Sequence, residues 1–312
     1  MNVFYYIFRR LRYALAIVVG ATLMIFVLFN VVVEDPTLVL LGKYATPQAM
    51  EALRHELGLN NPWYVQYWEI LQSAFTFNFG YSWASKQNII KIFQQGIAGS
   101  LSVTLPAFVL GNVLTISFAL WMTQYRGSIW DRFFLSFSTA MSCIPILLYI
   151  LMGQWFFAYK LGLFEITGYE KGLLACIPYI MLPTLIMVFM HFCYDYRFYR
   201  TIMLDEIYQD YVRTARAKGL SEKVILFKHV LKNVMVPIIT HLIQAIPSLL
   251  FGSILIENFF GIPGLGNVIQ HALHTCDLPM LKATTVVAAI VRIVCNIVGD
   301  ILYKLVDPRV KL

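Results

Sequence analysis

Long apolar stretches alternate with shorter polar segments along the whole chain. Each stretch has about twenty residues or more, enough for an α-helix to cross a hydrocarbon layer of roughly 30 Å. The pattern predicts an all-α integral membrane protein with six transmembrane helices in a single domain over residues 1–312. The predicted spans cover about residues 13–33, 99–122, 133–158, 172–194, 236–256 and 283–303. The first stretch is longer than the apolar part of a signal peptide and lacks a small-residue cleavage site, so we expect it to remain as a span.

Prolines interrupt several of these spans. Lipid-embedded helices tolerate proline when neighbouring helices satisfy the freed backbone groups. Kinks that shape a pathway and ordinary packing are both compatible with the pattern. The prolines are Pro106, Pro145, Pro178, Pro183 and Pro247.

The longest polar connection, residues 34–98, follows the first span and is predicted to be a large external loop. It carries the signals of a short helix, because Thr46 can cap a helix N-terminus, Pro47 suits the first turn and Gly58 can end it.

Composition supports a membrane protein. Hydrophobic residues make up 59% of the chain and charged residues 13%, whereas about a quarter of residues are charged in soluble domains. The net charge of +7 does not indicate nucleic-acid binding, because Lys and Arg flank apolar spans and form no basic face interleaved with aromatics. Membrane topology explains this charge better.

The distribution of Lys and Arg predicts the orientation, since these residues accumulate on cytoplasmic segments. One set of connecting segments carries 16 of them over 72 positions, and the other carries 6 over 103. The richer set is therefore predicted to be cytoplasmic, together with both termini. It comprises residues 1–12, 123–132, 195–235 and 304–312, and the external set comprises 34–98, 159–171 and 257–281.

The cytoplasmic segment 195–235 holds the longest strongly charged run. Helix-favouring residues precede Gly219, which can adopt the left-handed conformation that ends a helix. After it, apolar and basic residues fall on opposite faces at helical spacing. A helix, a glycine turn and an amphipathic helix are predicted. The apolar face comprises Phe227, Val230, Leu231 and Val234, and the basic face Lys223, Lys228 and Lys232.

Residues 210–220 closely resemble the coupling loop of ABC importer permeases of the oligopeptide and dipeptide class. The residues concerned are Asp210, Tyr211, Arg213, Thr214, Ala215, Arg216, Ala217, Lys218, Gly219 and Leu220. Arg213 replaces the glutamate of the general permease pattern, and Lys232 stands where that pattern has proline, with Pro237 later. The alternative interpretation is a solvated basic loop. The resemblance implies the fold of an ABC type I importer permease, whose short helix before the glycine docks on a cytoplasmic ATPase.

Other segments resemble the same family. They include residues 35–37, 45–47 and 57–62, the glycine-rich run 257–266, and Asp307-Pro308-Arg309. In the run 257–266, three glycines and a proline predict a tight turn of the chain at the outer surface. Glu257 is interpreted either as a substrate contact or gate, or as a structural residue at a helix end.

Arg292 is the charged residue deepest in a predicted span. An arginine at a helix centre costs about 2.5–3.5 kcal/mol on insertion scales, so it should face a partner, a polar cavity or water. Contact with an anionic group or peptide carboxylate in the pathway and pairing with a partner subunit both stay open. Asn296 and Asp300 share one helix face, which we expect to point at other helices.

Metal and disulfide chemistry is not expected. His271, His274, Cys276 and Asp277 superficially resemble metal-ligand spacing, but a surface helix is the preferred interpretation. Four of the cysteines lie in apolar stretches and Cys276 is alone in a polar connection, so we predict packing roles.

The chain contains no catalytic constellation and no phosphate-binding loop with Lys-Ser or Lys-Thr. We therefore expect a non-catalytic subunit without a cofactor of its own. The resemblance implies half of a translocation pathway in a bacterial inner membrane, for peptides, or alternatively for nickel complexes, glutathione or another small solute. It also implies four kinds of partner: a homologous second permease, one or two ATPases that bind ATP and Mg, an extracytoplasmic binding protein, and membrane lipid. An ion-coupled secondary transporter and a membrane enzyme or scaffold are the rival classes.

Overall fold

The structure, a computed structural model, describes residues 3–27, 37, 41, 46–172 and 174–306. Within these ranges the backbone forms helices, turns and one isolated antiparallel bridge between Tyr81 and Asn88. Two of the helices, α6 and α9, include π-helical segments, Gln154–Lys160 and Ile225–Val230. The helices are α1 Val3–Val27, α2 Pro47–Glu56, α3 Trp63–Thr76, α4 Ile89–Met122, α5 Ile129–Ser142, α6 Ile146–Lys160, α7 Ile177–Ile207, α8 Asp210–Ala217, α9 Glu222–Phe251, α10 Ile254–Phe260, α11 Leu265–His274 and α12 Leu278–Val306.

The short helix predicted after Thr46 is confirmed as α2. The Thr46 hydroxyl accepts a hydrogen bond from the Ala49 backbone N–H at 3.3 Å, and Pro47 is the first helical residue. Gly58 follows the helix with φ +69°. A side-chain cap of this kind satisfies one of the backbone donors that the first helical turn leaves open. The preceding motif, Asp35-Pro36, lies outside the described residues.

Among the described residues, four helices are long and apolar enough to cross a membrane: α4 with its extension to Tyr125, α7, α9 and α12 to Leu302. They contain most of four predicted spans but differ from them at the ends. Helix α7 continues past the predicted end at residue 194 to Ile207. Helix α9 ends at Phe251 because Gly252 adopts φ +65°, so the last residues of the predicted span 236–256 belong to α10.

The third predicted span is broken rather than continuous. Helices α5 and α6 are long and apolar enough to cross a membrane only when taken together, and their axes meet at 94°. Pro145 immediately precedes α6, where its missing N–H and fixed φ stop α5 from continuing. Counting this pair as one span gives five among the described residues. Helix α1 adds a shorter apolar stretch, Leu15–Val27, and residues 28–33 of the first predicted span lie outside the described residues.

Helices α4 and α7 pack along each other and form the centre of the bundle. A polar clamp adds α5 to them, because Arg200 on α7 donates two hydrogen bonds of 2.6 Å to the Asp131 carboxylate. Asp131 is buried and also accepts the Gly127 N–H at 2.9 Å. Removing one partner of such a buried pair costs roughly 3–5 kcal/mol, since the other charge stays uncompensated. The clamp therefore fixes α5 against α7.

Candidate functional site

The segment that links α7 to α9 has the predicted order of short helix, glycine turn and second helix. Helix α8 ends at Ala217, and Gly219 adopts φ +75°. The Gly219 N–H donates to Arg216 O at 2.9 Å and the Leu220 N–H to Ala215 O at 3.3 Å. These bonds satisfy carbonyls at the end of α8, as in other helices that end on a left-handed glycine.

Helix α8 has one buried and one exposed face. Val212 and Ala215 are buried in a cluster with residues of α4, α7 and α9, among them Met203 and Ile225. The opposite face is open in the isolated chain, where the Arg213 side chain is 71% exposed. This exposed face, which we call the α8 docking face, comprises Asp210, Arg213, Thr214 and Ala217, with Lys218, Gly219 and Leu220 beside it.

Two polar contacts fix α8 to its neighbours. The Tyr211 hydroxyl donates to Glu206 at 2.6 Å, and burial together with that carboxylate raises the pKa of Tyr211 to about 12, so the phenol keeps its proton. Arg216 donates to both carboxylate oxygens of Glu222, at 2.7 and 3.2 Å, across the glycine turn. The turn is thus bridged by side chains as well as by backbone.

The cluster around Val212 continues from α8 into the spans. It includes the fully buried Tyr196 and Tyr199 of α7 and Leu120 of α4. Close-packed interiors transmit displacement, because their side chains interdigitate with few voids. A force on α8 would therefore act on α4, α7 and α9 together.

The predicted apolar face of the second helix is wrong at one position. Phe227 is 64% exposed, whereas Ile225, Leu226, Val230 and Val234 are buried. The reason is the π-helical segment Ile225–Val230, in which the hydrogen bonds run from i to i+5. A π-helix has more residues per turn than an α-helix, so the side chains in this segment point in other directions than a regular 3.6-residue repeat predicts.

Glu257 lies at the other end of the bundle, on α10, and is buried. Its carboxylate accepts hydrogen bonds from the Ser100 hydroxyl of α4 at 2.7 Å and from the Asn267 N–H of α11 at 3.0 Å. Ser100 also accepts the Leu265 N–H at 2.9 Å. Burial raises the pKa of Glu257, an effect that these hydrogen bonds oppose. The contacts are those of a structural residue that joins three helices.

Glycines make the space for this carboxylate. A Cβ built on Gly252, Gly264 or Gly266 would overlap the Glu257 side chain, and one built on Gly99 would overlap the backbone of Pro263. The glycine-rich run 257–266 thus contains a tight turn, as predicted, which joins α10 to α11 at residues 261–264 and packs against Glu257 and α4. We call Gly252 and the run 257–266 together the glutamate turn.

Arg292 lies near the middle of α12. Its Nη1 donates to the Gln244 carbonyl of α9 at 3.0 Å, and the residue is exposed in the isolated chain. Asn296, one turn further along α12, is exposed as well. Among the described residues, no three His, Cys, Asp or Glu side chains are grouped closely enough to hold a metal ion.

Comparison with protein families covers nearly the whole chain. A family model described as the inner membrane component of binding-protein-dependent transport systems matches residues 111–312. A second, described as the N-terminal part of such a membrane component, matches residues 3–104. The chain belongs to this family of membrane transport components.

Relatives of this transport component align along most of its length. The probable peptide ABC transporter permease protein y4tP of Sinorhizobium fredii is 30% identical over 98% of this chain and 99% of its own length. The oligopeptide transport system permease protein AppB of Bacillus subtilis is 31% identical over 98% and 99%. The dipeptide transport system permease protein DppB of Lactococcus lactis subsp. cremoris is 33% identical over 86% and 87%.

Asp277 was predicted to lie on a surface helix, but its carboxylate is buried in this transport component. Asp277 immediately precedes α12 and accepts hydrogen bonds from the Ser82 hydroxyl and from three backbone N–H groups, those of Trp83 at 3.1 Å, Ala84 at 3.3 Å and Met280 at 3.3 Å. It joins the end of the large connecting loop to the last span. The signal was an aspartate immediately before an apolar run with proline in its first turn, which is typical of a helix N-terminus.

Helix α7 extends into the predicted cytoplasmic segment 195–235. Asp195 was placed at the start of the cytoplasmic segment 195–235, but it lies well inside α7, which ends at Ile207. The sequence becomes polar before α7 ends, because Arg197, Arg200 and Asp205 lie in the C-terminal part of this helix. Residues 195–207 are consequently helical, and the connection between α7 and α9 is shorter than the predicted segment.

Proposed function

We propose that this chain forms half of the translocation pathway of an ATP-driven importer, as the permease subunit that receives peptides from an extracytoplasmic binding protein. The observation that carries the proposal is the α8 docking face, which stays open in the isolated chain while the reverse side of α8 is buried in the bundle. A short helix that is solvent-exposed on one side and continuous with the spans on the other suits a movable contact with a second protein.

The peptide assignment rests on the relatives, whose names describe transport of peptides, dipeptides or oligopeptides. Nickel complexes, glutathione or another small solute remain alternatives for the same architecture. The family description itself implies a binding protein that delivers the solute.

The proposed coupling step is a rigid-body movement. Closure of a pair of ATPases around ATP and Mg would displace α8, and the buried cluster would carry that displacement into α4, α7 and α9. Tilting of these spans would switch the pathway between outward and inward access. In this mechanism the chain binds no nucleotide. The α8 end of the bundle and both termini are cytoplasmic, and a homologous permease supplies the other half of the pathway.

An ion-coupled secondary transporter is the second candidate, because Asp195 within α7 is a carboxylate in a membrane span. Such carboxylates can serve proton or ion coupling. The candidates differ in their energy source, since only the importer needs ATPases.

Uptake into proteoliposomes tests both candidates. The chain is reconstituted with the second permease, the ATPases and the binding protein, and uptake of labelled trialanine is measured with and without ATP. We expect ATP-dependent uptake, and its loss in Arg213→Glu, which reverses a charge on the α8 docking face without touching its buried side. Lys171→Glu, the same charge reversal in the predicted external segment 159–171, is the control and should transport normally. Uptake driven by a proton gradient without ATPases would reject the importer.

A further inference from the structure

A carboxylate flanked by two histidines lies inside the membrane bundle. Asp195 on α7 is 3.5 Å from Nδ1 of His191, one turn earlier, and 3.1 Å from Nε2 of His241 on α9. His241 stacks on Phe198 with ring centroids 4.8 Å apart and meets the edge of Tyr199 at 5.5 Å. The contacts hold the carboxylate and both imidazoles in a defined arrangement between two spans.

This group is packed on one side and open on the other. The side chains of His191, Asp195 and His241 are 27%, 16% and 33% exposed in the isolated chain. A carboxylate has about four acceptor positions, and the two imidazoles use one oxygen each. Asp195 therefore keeps acceptor capacity toward the open side.

A positive charge lies on the other flank of α9. Arg292 of α12 donates to the carbonyl of Gln244, and Gln244 is three residues from His241, or about 4.5 Å along the helix axis. Asp195 contacts α9 from the α7 side and Arg292 contacts it from the α12 side. A helix with its side chains is about 10–12 Å wide, so the two charges are separated by a distance on the order of 10 Å.

The surface that carries these charges differs from the rest of the bundle. On α4, the exposed residues Leu105, Val109 and Val113 are apolar, as expected for contact with lipid. Along α9 and α12, by contrast, exposed residues include Gln244, Ser248, Arg292 and Asn296. Ionisable residues within spans almost always face other helices or a water-filled cavity, because exposure to lipid is costly.

We propose that this surface of α7, α9 and α12 lines the translocation pathway and binds a zwitterionic peptide by both ends. Asp195, oriented by His191 and His241, accepts hydrogen bonds from the peptide ammonium group. Arg292 donates to the peptide carboxylate. An extended chain spans about 3.3–3.6 Å per residue, so the spacing of the two charges fits a peptide of about three residues. The inference rests on the proposed function and adds to it the groups that hold the substrate.

Peptides with one blocked end test the two contacts separately. The complex of both permeases and the ATPases is placed in nanodiscs without binding protein, and binding of trialanine, N-acetyl-trialanine and trialanine amide is compared by saturation-transfer NMR. A hydrogen bond to a charged group is worth roughly tenfold or more in affinity, so each blocked peptide should bind the unmodified complex about tenfold more weakly. In Asp195→Asn, N-acetylation should no longer weaken binding, whereas amidation still should. In Arg292→Gln, amidation should no longer weaken binding, whereas N-acetylation still should.

Controls separate this result from misfolding. Asp205→Asn neutralises an exposed carboxylate on the same helix, and Lys171→Gln neutralises a cation outside the spans; both should discriminate as the unmodified complex does. Should Asp195→Asn fail to assemble, Asp195→Glu keeps the charge and should retain discrimination against N-acetyl-trialanine, while Arg292→Gln tests the other contact by itself.

The inference would be overturned if Asp195→Asn and Arg292→Gln discriminated like the unmodified complex, or if the unmodified complex bound the three peptides equally. Such a result, obtained with a complex that still imports trialanine with ATP, leaves the proposed function standing. Absence of ATP-dependent uptake in the unmodified complex would instead reject the proposed function.

Discussion

The two ends of the bundle both turn the chain at glycine, but for different physical reasons. At Gly219 an added Cβ would meet nothing within 4 Å, so only the backbone conformation at φ +75° favours glycine. In the glutamate turn the space beside Gly252, Gly264 and Gly266 is filled by the Glu257 carboxylate. The first turn is open and presents a surface, whereas the second is closed and buries its charge. An exposed turn such as that at Gly219 is suited to a contact that forms and breaks, whereas the buried glutamate turn is suited to a fixed contact between helices.

The strongest test of this difference is Gly264→Ala. The new Cβ would overlap the Glu257 carboxylate, and relief would require displacing a buried acid from its donors. Overpacking alone costs about 1–3 kcal/mol, and loss of the hydrogen bonds adds to it. We expect little folded protein in detergent extracts, measured by size-exclusion chromatography and thermal unfolding. Gly20→Ala, where the Cβ meets nothing within 4 Å, is the control and should fold normally.

Glu257→Gln should have the next largest effect and a distinct pH dependence. An amide cannot accept all the hydrogen bonds of the carboxylate, so stability should fall by about 1–3 kcal/mol near neutral pH. Since burial raises the pKa of Glu257 above its ordinary value of 4.5, the folded state disfavours the ionised form. The stability of the unmodified protein should therefore decrease as pH rises from about 4.5 through the folded pKa.

The same measurement on Glu257→Gln should lack that component. Thermal unfolding of both proteins across this pH range checks the sign. A stability of the unmodified protein that increases over the same interval, relative to the variant, would show that the hydrogen bonds outweigh burial.

Gly219→Ala should lower stability less than the changes in the glutamate turn, but it should lower ATP-driven uptake. A non-glycine residue in the left-handed region costs about 1–2 kcal/mol, and no steric overlap adds to that value. Thermal unfolding should change little beyond this strain, but ATP-driven uptake should fall severalfold because the orientation of α8 changes. Uptake equal to that of the unmodified protein would mean that the glycine turn does not set the position of the docking face.

Arg216→Gln should have the smallest effect. The ion pair with Glu222 is partly exposed, with side chains 35% and 49% accessible, and pairs of this kind contribute about 0–1 kcal/mol. We expect a small loss of stability that disappears at high salt, because salt screens the ion pair of the unmodified protein. A decrease of several kcal/mol would instead assign the bridge a structural role comparable to that of Glu257.

Sequence patterns predicted those helix ends and turns whose conformation is determined by residues close together in the chain. The Thr46 cap, the turn at Gly219 and the tight run 257–266 each follow from the conformational preferences of one or two residues. The α8 helix was also predicted, from its position before that glycine and from the resemblance of residues 210–220 to a known coupling loop.

The errors arose where the local pattern and the three-dimensional structure diverge. Asp195 was assigned to a loop because apolarity falls before α7 ends, although the cluster of Tyr196, Tyr199 and Met203 keeps that part of the helix packed. Phe227 was assigned to the buried face because nothing in the spacing reveals a π-helical segment. The partners of Glu257 and Asp277 are far away in sequence, at Ser100 and Ser82, so only the fold brings them together.

The length of α7 sets where the docking face stands relative to the lipid. Its 31 residues extend about 46 Å at 1.5 Å per residue, whereas a hydrocarbon core is about 30 Å thick. The helix exceeds that thickness by roughly 15 Å, and its charged residues Arg197, Arg200 and Asp205 lie toward the end that leads to α8. In the proposed importer, this end of α7 would hold the α8 docking face away from the hydrocarbon core, where the proposed ATPase meets it in water.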